Sequence, residues 1–71
     1  MDRMGNFDQA IECFTTAISM EDSKADFYHN RGFALRKKKE YELAIADYSK
    51  AIELDNKHFK AFYNRAFCWE K

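Results

Sequence analysis

The sequence contains no proline, only two glycines and two cysteines, and no long apolar run. The lack of proline and the scarcity of glycine exclude a collagen-like chain, a flexible linker and a turn-rich all-β domain. No stretch approaches the roughly 18 apolar residues that span a bilayer, and the polar start from Met1 to Asp8 lacks the apolar core of a signal peptide. We therefore expect no membrane partner and a cytoplasmic location, or a nuclear one.

The two cysteines do not indicate a disulfide or a reactive site. Cys13 and Cys68 are 55 positions apart and form no CxxC pair, so we interpret them as free thiols. Catalysis would require one of them beside His29 or His58 together with an orienting carboxylate, and zinc would require ligands at paired spacing. Neither pattern occurs, so the sequence predicts no enzyme, no metal and no cofactor.

The sequence also has no excess of either charge, because 12 lysines and arginines balance 12 acidic residues. A chain without net charge has no long-range electrostatic attraction for nucleic acid. We therefore expect no nucleic-acid partner. The one basic run is Arg36, Lys37, Lys38 and Lys39. We interpret it as a solvated helix C-terminus rather than a phosphate site or a nuclear-import signal, since cations there complement the helix dipole.

What the sequence does have is an internal repeat. Hydrophobic residues make up 46% of it and aromatic residues 17%, which indicates a folded chain. When the sequence is shifted by 34 positions against itself, 37 positions overlap and eight are identical, where composition alone would give about three. The identical pairs are Ala10/Ala44, Ile11/Ile45, Ala17/Ala51, Ile18/Ile52, Asn30/Asn64, Arg31/Arg65, Phe33/Phe67 and Lys37/Lys71.

Apolar residues within each unit follow a helical period. One stripe occupies i, i+3, i+4, i+7, i+10 and i+11. It consists of Tyr41, Ala44, Ile45, Tyr48, Ala51 and Ile52, and it recurs as Phe7, Ala10, Ile11, Phe14, Ala17 and Ile18. A second helix type has a small residue at mid-helix, which indicates a close helix crossing. Its apolar members are Phe27, Tyr28, Gly32 and Leu35, echoed by Phe62, Ala66 and Trp69.

These patterns predict four antiparallel helices in an all-α fold. We place them near 7–20, 24–38, 41–54 and 58–70, joined by connections of a few residues. Asn6 and Ser23 have the side chains of helix N-caps, with Gln9 and Asp26 three residues further on. We interpret Trp69 and the phenylalanines as core residues rather than as ligand platforms.

In its spacing the chain resembles the tetratricopeptide repeat, a helix-turn-helix unit of 34 residues. Residues 25–58 resemble one complete repeat. The signature positions are held by Tyr28, Gly32, Leu35, Tyr41, Ala44, Tyr48 and Ala51. Residues 1–24 resemble the second helix of a preceding repeat, and 59–71 the first helix of a following one. The resemblance implies a single module of stacked helices, an α-α superhelix fragment.

Two departures from the family pattern have structural consequences. The glycine that precedes the second helix in the family is Gly5 in one copy but Lys39 in the other, so Lys39 is expected to be strained if that turn needs a positive φ. The array also begins and ends in mid-repeat. We expect exposed apolar faces at both ends. They are formed by Phe59, Phe62, Phe67 and Trp69 at one end and by Ile11, Phe14 and Ile18 at the other.

The resemblance also implies where a ligand binds. In such arrays the first helices line a concave groove that binds peptides through repeat positions 2, 5, 6, 9, 12 and 13. The corresponding residues are Asp26, His29, Asn30, Phe33, Arg36, Lys37, Lys60, Tyr63, Asn64, Phe67, Glu70 and Lys71. We expect them on one face, opposite the packing stripe.

Asn30 and Asn64 are the strongest functional signal in this set. Their amide groups can pair with the backbone of an extended peptide, although they can also bond within the helix layer. Some members of the family bind a terminal carboxylate through lysine and asparagine, and Asn30, Asn64 and Lys60 match part of that clamp. We expect no working clamp, because its other half would lie on a helix that this chain lacks.

The sequence therefore predicts a non-catalytic interaction module or scaffold element that binds a protein or peptide in the groove. The alternative is head-to-tail self-association into a homo-oligomer through the uncapped ends. Arg3 and Lys71 both occupy repeat position 13, so the end of one chain and the beginning of another continue the repeat in phase.

Overall fold

The computed structural model describes residues 3–71, which form four α-helices. They are α1 (Arg3–Met20), α2 (Ala25–Lys37), α3 (Tyr41–Leu54) and α4 (Phe59–Trp69). Each helix packs on the next along the chain, and α2 also meets α4, in a layer measuring 37 × 32 × 15 Å. The predicted all-α helical-repeat fold is confirmed.

The core is formed by the small and large residues of the α3 stripe. Ala44, Tyr48 and Ala51 are fully buried, and Ile45 and Ile52 pack against them. Alternation of alanine with tyrosine and isoleucine brings α3 close to its neighbours on both sides, which is how a thin layer reaches interior packing density. The predicted packing stripe of α3 is therefore confirmed.

The close crossing predicted at Gly32 is also present. A Cβ at Gly32 would lie 3.0 Å from Cε1 of Tyr48 and 3.2 Å from Cβ of Asp47. Glycine in mid-helix costs about 1 kcal/mol of helix propensity. Contact of the α2 backbone with the Tyr48 ring offsets that cost.

The predicted N-caps are wrong. Helix α1 begins at Arg3, so Gly5 and Asn6 lie inside it, and the Asn6 side chain is exposed. The N-cap of α2 is Lys24, which makes no side-chain cap, while Ser23 Oγ donates to Glu21 at 2.8 Å. A cap contributes only about 1 kcal/mol, which a helix with a packed face can forgo.

The turn between α2 and α3 contains the strained residue that the sequence predicts. Lys39 has φ 68°, in the left-handed region that favours glycine. Its N–H donates to Arg36 O at 2.8 Å and the Glu40 N–H donates to Leu35 O at 2.9 Å. These two bonds close the end of α2 as a Schellman motif, which requires this backbone conformation.

An ion pair that the sequence did not reveal joins α2 to α3. Asp47 is 6% exposed and accepts hydrogen bonds from Nε and Nη2 of Arg31, both at 2.8 Å. Nη1 of the same arginine donates to Thr15 Oγ1 at 3.2 Å. Arg31 therefore links the first three helices.

The two ends of the layer differ in exposure. Phe59 (74%), Phe62 (39%) and Trp69 (62%) are exposed on α4, as predicted for an uncapped face, so the interpretation of these three side chains as core residues is wrong. The remaining residues of the two predicted faces, Ile11, Phe14, Ile18 and Phe67, are only half-exposed. Within residues 3–71, none of the helices combines the length and apolar character needed to cross a bilayer.

Candidate peptide-binding groove

Side chains at the N-terminal ends of α2 and α4 join the two helices into one surface. His58 Nε2 lies 2.9 Å from Asp26 Oδ1, and the rings of His29 and His58 are 4.8 Å apart between centroids. Asn64 Nδ2 lies 3.1 Å from His29 Nε2. In each of these contacts the two residues are more than 25 positions apart in the sequence. The repeat therefore brings the N-terminal ends of α2 and α4 together.

The predicted groove residues differ in accessibility. His29, Arg36, Asn64 and Phe67 are half-buried. The other eight are exposed, namely Asp26, Asn30, Phe33, Lys37, Lys60, Tyr63, Glu70 and Lys71. An open cleft of about 640 Å³ lies at the N-terminal end of the surface. It is lined by Asp26, His29, Asn30, Asp55, Lys57, His58, Phe59 and Lys60.

Both asparagines bond to His29. This agrees with the alternative given above, in which the two amides bond within the helix layer. The Nδ2 group of Asn64 can only donate, so His29 Nε2 accepts and His29 Nδ1 carries the proton, which it donates to Asn30 Oδ1 at 3.3 Å. One neutral tautomer of His29 therefore satisfies both contacts. Two amide groups have no hydrogen-bond partner among the described residues. They are the donor Nδ2 of Asn30 and the acceptor Oδ1 of Asn64.

His58 lines the candidate site, although the sequence analysis did not include it among the groove residues. Its Nδ1 accepts from the Ala61 N–H at 3.3 Å and so caps α4, while its Nε2–H points to Asp26. His58 thus holds the opposite tautomer to His29. Histidine is an unusual cap, and only its place just before the predicted second copy of the α2 pattern could have indicated this role.

The stability of the chain is expected to fall as the pH drops below about 6.5, because burial lowers the pKa of His29 from its ordinary value of 6.5. The pKa is also lowered by His58 and Lys60 and raised by Asn30 and Asp26. Between the lowered pKa and 6.5 the unfolded chain binds more protons than the folded chain, so stability is full above this window and is lost on descending through it. Thermal unfolding followed by circular dichroism from about pH 7.5 to 5 measures the effect.

The matched control for this prediction is His29→Gln, which keeps a donor and an acceptor but does not titrate. We expect the midpoint temperature of this variant to vary less with pH over the same range. An identical pH dependence in the variant and the parent chain would contradict the assignment to His29.

Aromatic rings and cations occupy the C-terminal end of the groove. The Arg36 guanidinium lies 5.0 Å from the centroid of Phe33 and 4.6 Å from that of Phe67, so it bridges α2 and α4. Lys37 Nζ lies over Phe33 and Lys71 Nζ over Phe67, at 5.3 and 4.6 Å. The basic run is therefore not a uniformly solvated terminus, and cation–π contacts hold this end of the groove together.

The two cysteines lie in different surroundings. Cys13 is exposed and Cys68 is buried, and burial raises the pKa of the Cys68 thiol, which makes it a weaker nucleophile at neutral pH. In residues 3–71, no three histidine, cysteine or acidic side chains form a group that could hold a metal ion.

The fold defines an all-α repeat module with an open cleft between the N-terminal ends of α2 and α4. Two family profiles of the tetratricopeptide repeat match the sequence, over residues 25–58 and 2–24. The chain belongs to the tetratricopeptide repeat family.

Three relatives illustrate the range of proteins with similar segments. The chain is 43% identical to protein unc-45 homolog B of Danio rerio over 72 residues, covering 94% of the chain and 8% of the relative. It is 38% identical to mitochondrial import receptor subunit TOM70 of Rattus norvegicus over 74 residues, covering 97% of the chain and 12% of the relative. It is 38% identical to human serine/threonine-protein phosphatase 5 over 61 residues, covering 86% and 12%. The chain thus spans about a tenth of the length of these relatives.

Proposed function

We propose that this chain is a non-catalytic protein-interaction module that binds an extended segment of a partner protein along the α2–α4 groove. Membership of the tetratricopeptide repeat family supports protein binding as the general function. The cleft of about 640 Å³ and the eight exposed groove residues support this surface as the place where binding occurs. The two free thiols support an intracellular site of action, in the cytoplasm or nucleus.

The observation that carries the proposal is the pair of unused amide groups on neighbouring helices. Asn30 offers a donor and Asn64 an acceptor, and His29 fixes the orientation of both side chains. An extended peptide presents alternating carbonyl and N–H groups along its backbone, which a fixed donor and acceptor can pair with at little entropic cost. Exposed Phe33 and Tyr63 lie on the same two helices and offer apolar contacts to its side chains.

Substitution of Asn30 is expected to weaken peptide binding without unfolding the chain. Asn30→Asp keeps the Oδ1 atom that accepts from His29 but removes the Nδ2 donor, which is left without a partner in the described residues. A lost hydrogen bond contributes about 0.5 to 1.5 kcal/mol, so the dissociation constant should rise roughly two- to tenfold. Isothermal titration with a peptide selected against the chain from a random-sequence library measures the change.

Two further variants sharpen this experiment. Asn64→Ala, which removes the outward acceptor, should weaken binding of the same peptide to a similar degree. Asn6→Ala alters an exposed asparagine on α1, outside the groove, and should leave the affinity unchanged. Equal affinity of all three variants and the parent chain, with circular dichroism unchanged, would overturn the proposal.

A further inference from the structure

The His29 ring lies at the junction of α2 and α4 with both of its nitrogens in use. Its Nδ1 donates to Asn30 Oδ1 at 3.3 Å, and its Nε2 accepts from Asn64 Nδ2 at 3.1 Å. The ring is half-buried, and its centroid lies 5.6 Å from that of Tyr48 on α3 and 4.8 Å from that of His58. Packing and hydrogen bonds therefore fix the ring in one orientation.

Protonation of His29 is incompatible with the contact to Asn64. A neutral imidazole has one donor and one acceptor, whereas an imidazolium has two donors and no acceptor. The second proton goes to Nε2, where it would face the Nδ2 donor of Asn64 at 3.1 Å. Two N–H donors at that distance repel each other. The Asn64 amide must therefore leave His29 or rotate.

Rotation of the Asn64 amide restores the hydrogen bond at little cost. The terminal torsion of asparagine is broad and roughly two-fold, so a turn of about 180° is accessible without movement of α4. Oδ1 then accepts from the protonated Nε2, and a bond to a charged donor is stronger than a neutral one. Rotation also exchanges the two groups. Oδ1, which has no partner among the described residues while His29 is neutral, becomes occupied, and Nδ2 loses its partner.

The surroundings of His29 favour the neutral ring at pH 7. The titratable groups that face it are Asp26 on α2, Tyr48 on α3, Asp55, Lys57 and His58 in the turn before α4, and Lys60 on α4. Burial is the largest influence and lowers the pKa of His29; His58 and Lys60 also lower this pKa, while Asn30 and Asp26 raise it. The Asp26 carboxylate is bonded to His58 Nε2 at 2.9 Å. Protonation of His29 therefore requires acidification.

We propose that His29 is a positioning residue that sets which hydrogen-bonding group Asn64 offers to a bound peptide. With His29 neutral, Asn64 Oδ1 accepts from a backbone N–H of the peptide. With His29 protonated, Asn64 Nδ2 donates to a backbone carbonyl instead. This inference rests on the α2–α4 groove as the binding surface. It adds that at neutral pH the groove selects a segment with a free backbone N–H at this point and disfavours proline there.

The coupling makes peptide binding depend on pH. A peptide that donates an N–H to Asn64 binds the chain more tightly when His29 is neutral, so its affinity is full above the pKa of His29 and falls on acidification through it. Protonation of His58 has a different consequence. It would remove the acceptor of the Ala61 N–H, which caps α4, and that nitrogen is not bonded to Asn64.

The free chain tests the coupling without any ligand. In a chain labelled with ¹⁵N, the ring nitrogens of His29 report its tautomer and its titration, and the side-chain NH₂ resonances of Asn64 report the bond between the two residues. We expect the Nδ1–H tautomer at about pH 7.5, and a change in the Asn64 resonances on acidification to about pH 5 with the same midpoint as His29. In His29→Gln the Asn64 resonances should stay constant.

Isothermal titration over the same pH range tests the effect on binding. The probe is a library-selected peptide with blocked ends and without histidine, aspartate or glutamate, so that only the chain titrates. Its dissociation constant should rise roughly two- to tenfold on acidification of the parent chain, as expected for one hydrogen bond. The rise should be absent in His29→Gln. It should persist in His58→Asn, which keeps an acceptor for the α4 cap, with a higher midpoint because His58 no longer lowers the pKa of His29.

Three results would overturn the proposal. Asn64 resonances that do not follow the titration of His29, or that still titrate in His29→Gln, would show that His29 does not orient the amide. An affinity independent of pH in the parent chain, while Asn64→Ala still weakens binding, would contradict the proposal and leave the groove as the binding surface. An Asn64→Ala chain that binds as tightly as the parent chain would contradict the proposed groove function, and this inference with it.

Discussion

Replacement of Tyr48 by alanine is expected to unfold the chain. Tyr48 is the largest side chain that is fully buried, and it lies at the crossing of α2 and α3 against Gly32. Truncation of a buried aromatic residue to alanine costs about 3 to 5 kcal/mol. A core in a chain of this size supplies little more than about 3 to 5 kcal/mol in total. Circular dichroism at 222 nm should therefore show most of the helical signal lost at 25 °C.

The matched control for this prediction is Tyr48→Phe. The Tyr48 hydroxyl is buried beside the Arg36 guanidinium, but the two groups do not reach ordinary hydrogen-bond geometry; burial, opposed by this cation, raises the pKa of Tyr48 to about 12. Removing an unpartnered buried hydroxyl should leave stability unchanged or raise it by up to about 1 kcal/mol. A folded Tyr48→Ala chain, or a Tyr48→Phe chain as unstable as it, would contradict the role assigned to the ring.

The second large effect is expected from Asp47→Ala. This change leaves the Arg31 guanidinium without its bidentate partner while the side chain remains only 22% exposed. Loss of a fully buried pair partner costs about 3 to 5 kcal/mol, and the partial exposure of Arg31 reduces the expected value to about 2 to 3 kcal/mol. Urea denaturation monitored by circular dichroism measures the change in the free energy of unfolding.

The double variant Arg31→Met/Asp47→Ala separates the ion pair from side-chain packing. Because no charge is left unpaired in it, we expect it to be more stable than Asp47→Ala alone. A loss of stability in the double variant equal to the sum of the losses in Asp47→Ala and in Arg31→Met would show that the pair itself contributes nothing. Glu53→Ala, on an exposed i,i+3 pair with Lys50, should change stability by less than about 0.5 kcal/mol.

The fold followed from the sequence because each local pattern agreed with the repeat. The α3 stripe and the small residue at Gly32 follow from periodicity and from the offset of 34, whereas the positive φ of Lys39 follows from the resemblance to a family that has glycine at this turn. The predicted N-caps were wrong because at these positions the local pattern did not agree with the rest of the fold. A cap at Asn6 depends on a few tenths to 1 kcal/mol of local free energy, which packing along α1 outweighs.

The polar contacts of the site were less predictable. The pairing of Asp47 with Arg31 spans 16 residues, and the sequence offers many such charged pairs. A usable signal was present, however, since Thr15 precedes Arg31 and Ser49 precedes Arg65 by the same 16 positions. The roles of His29 and His58 depend on opposite tautomers, each set by one partner close in sequence and one partner more than 25 residues away. No one-dimensional pattern encodes a tautomer.

The surface on which a partner peptide lies is tested most directly by mapping amide chemical shifts. The chain, labelled with ¹⁵N, is titrated with a peptide selected from a random-sequence library, and each backbone resonance is followed. We predict that the largest shifts fall on α2 and α4 around Asn30, Phe33, Tyr63 and Asn64. Shifts confined to the exposed faces of α1 and α3, with the α2 and α4 resonances unmoved, would contradict the assignment of the groove.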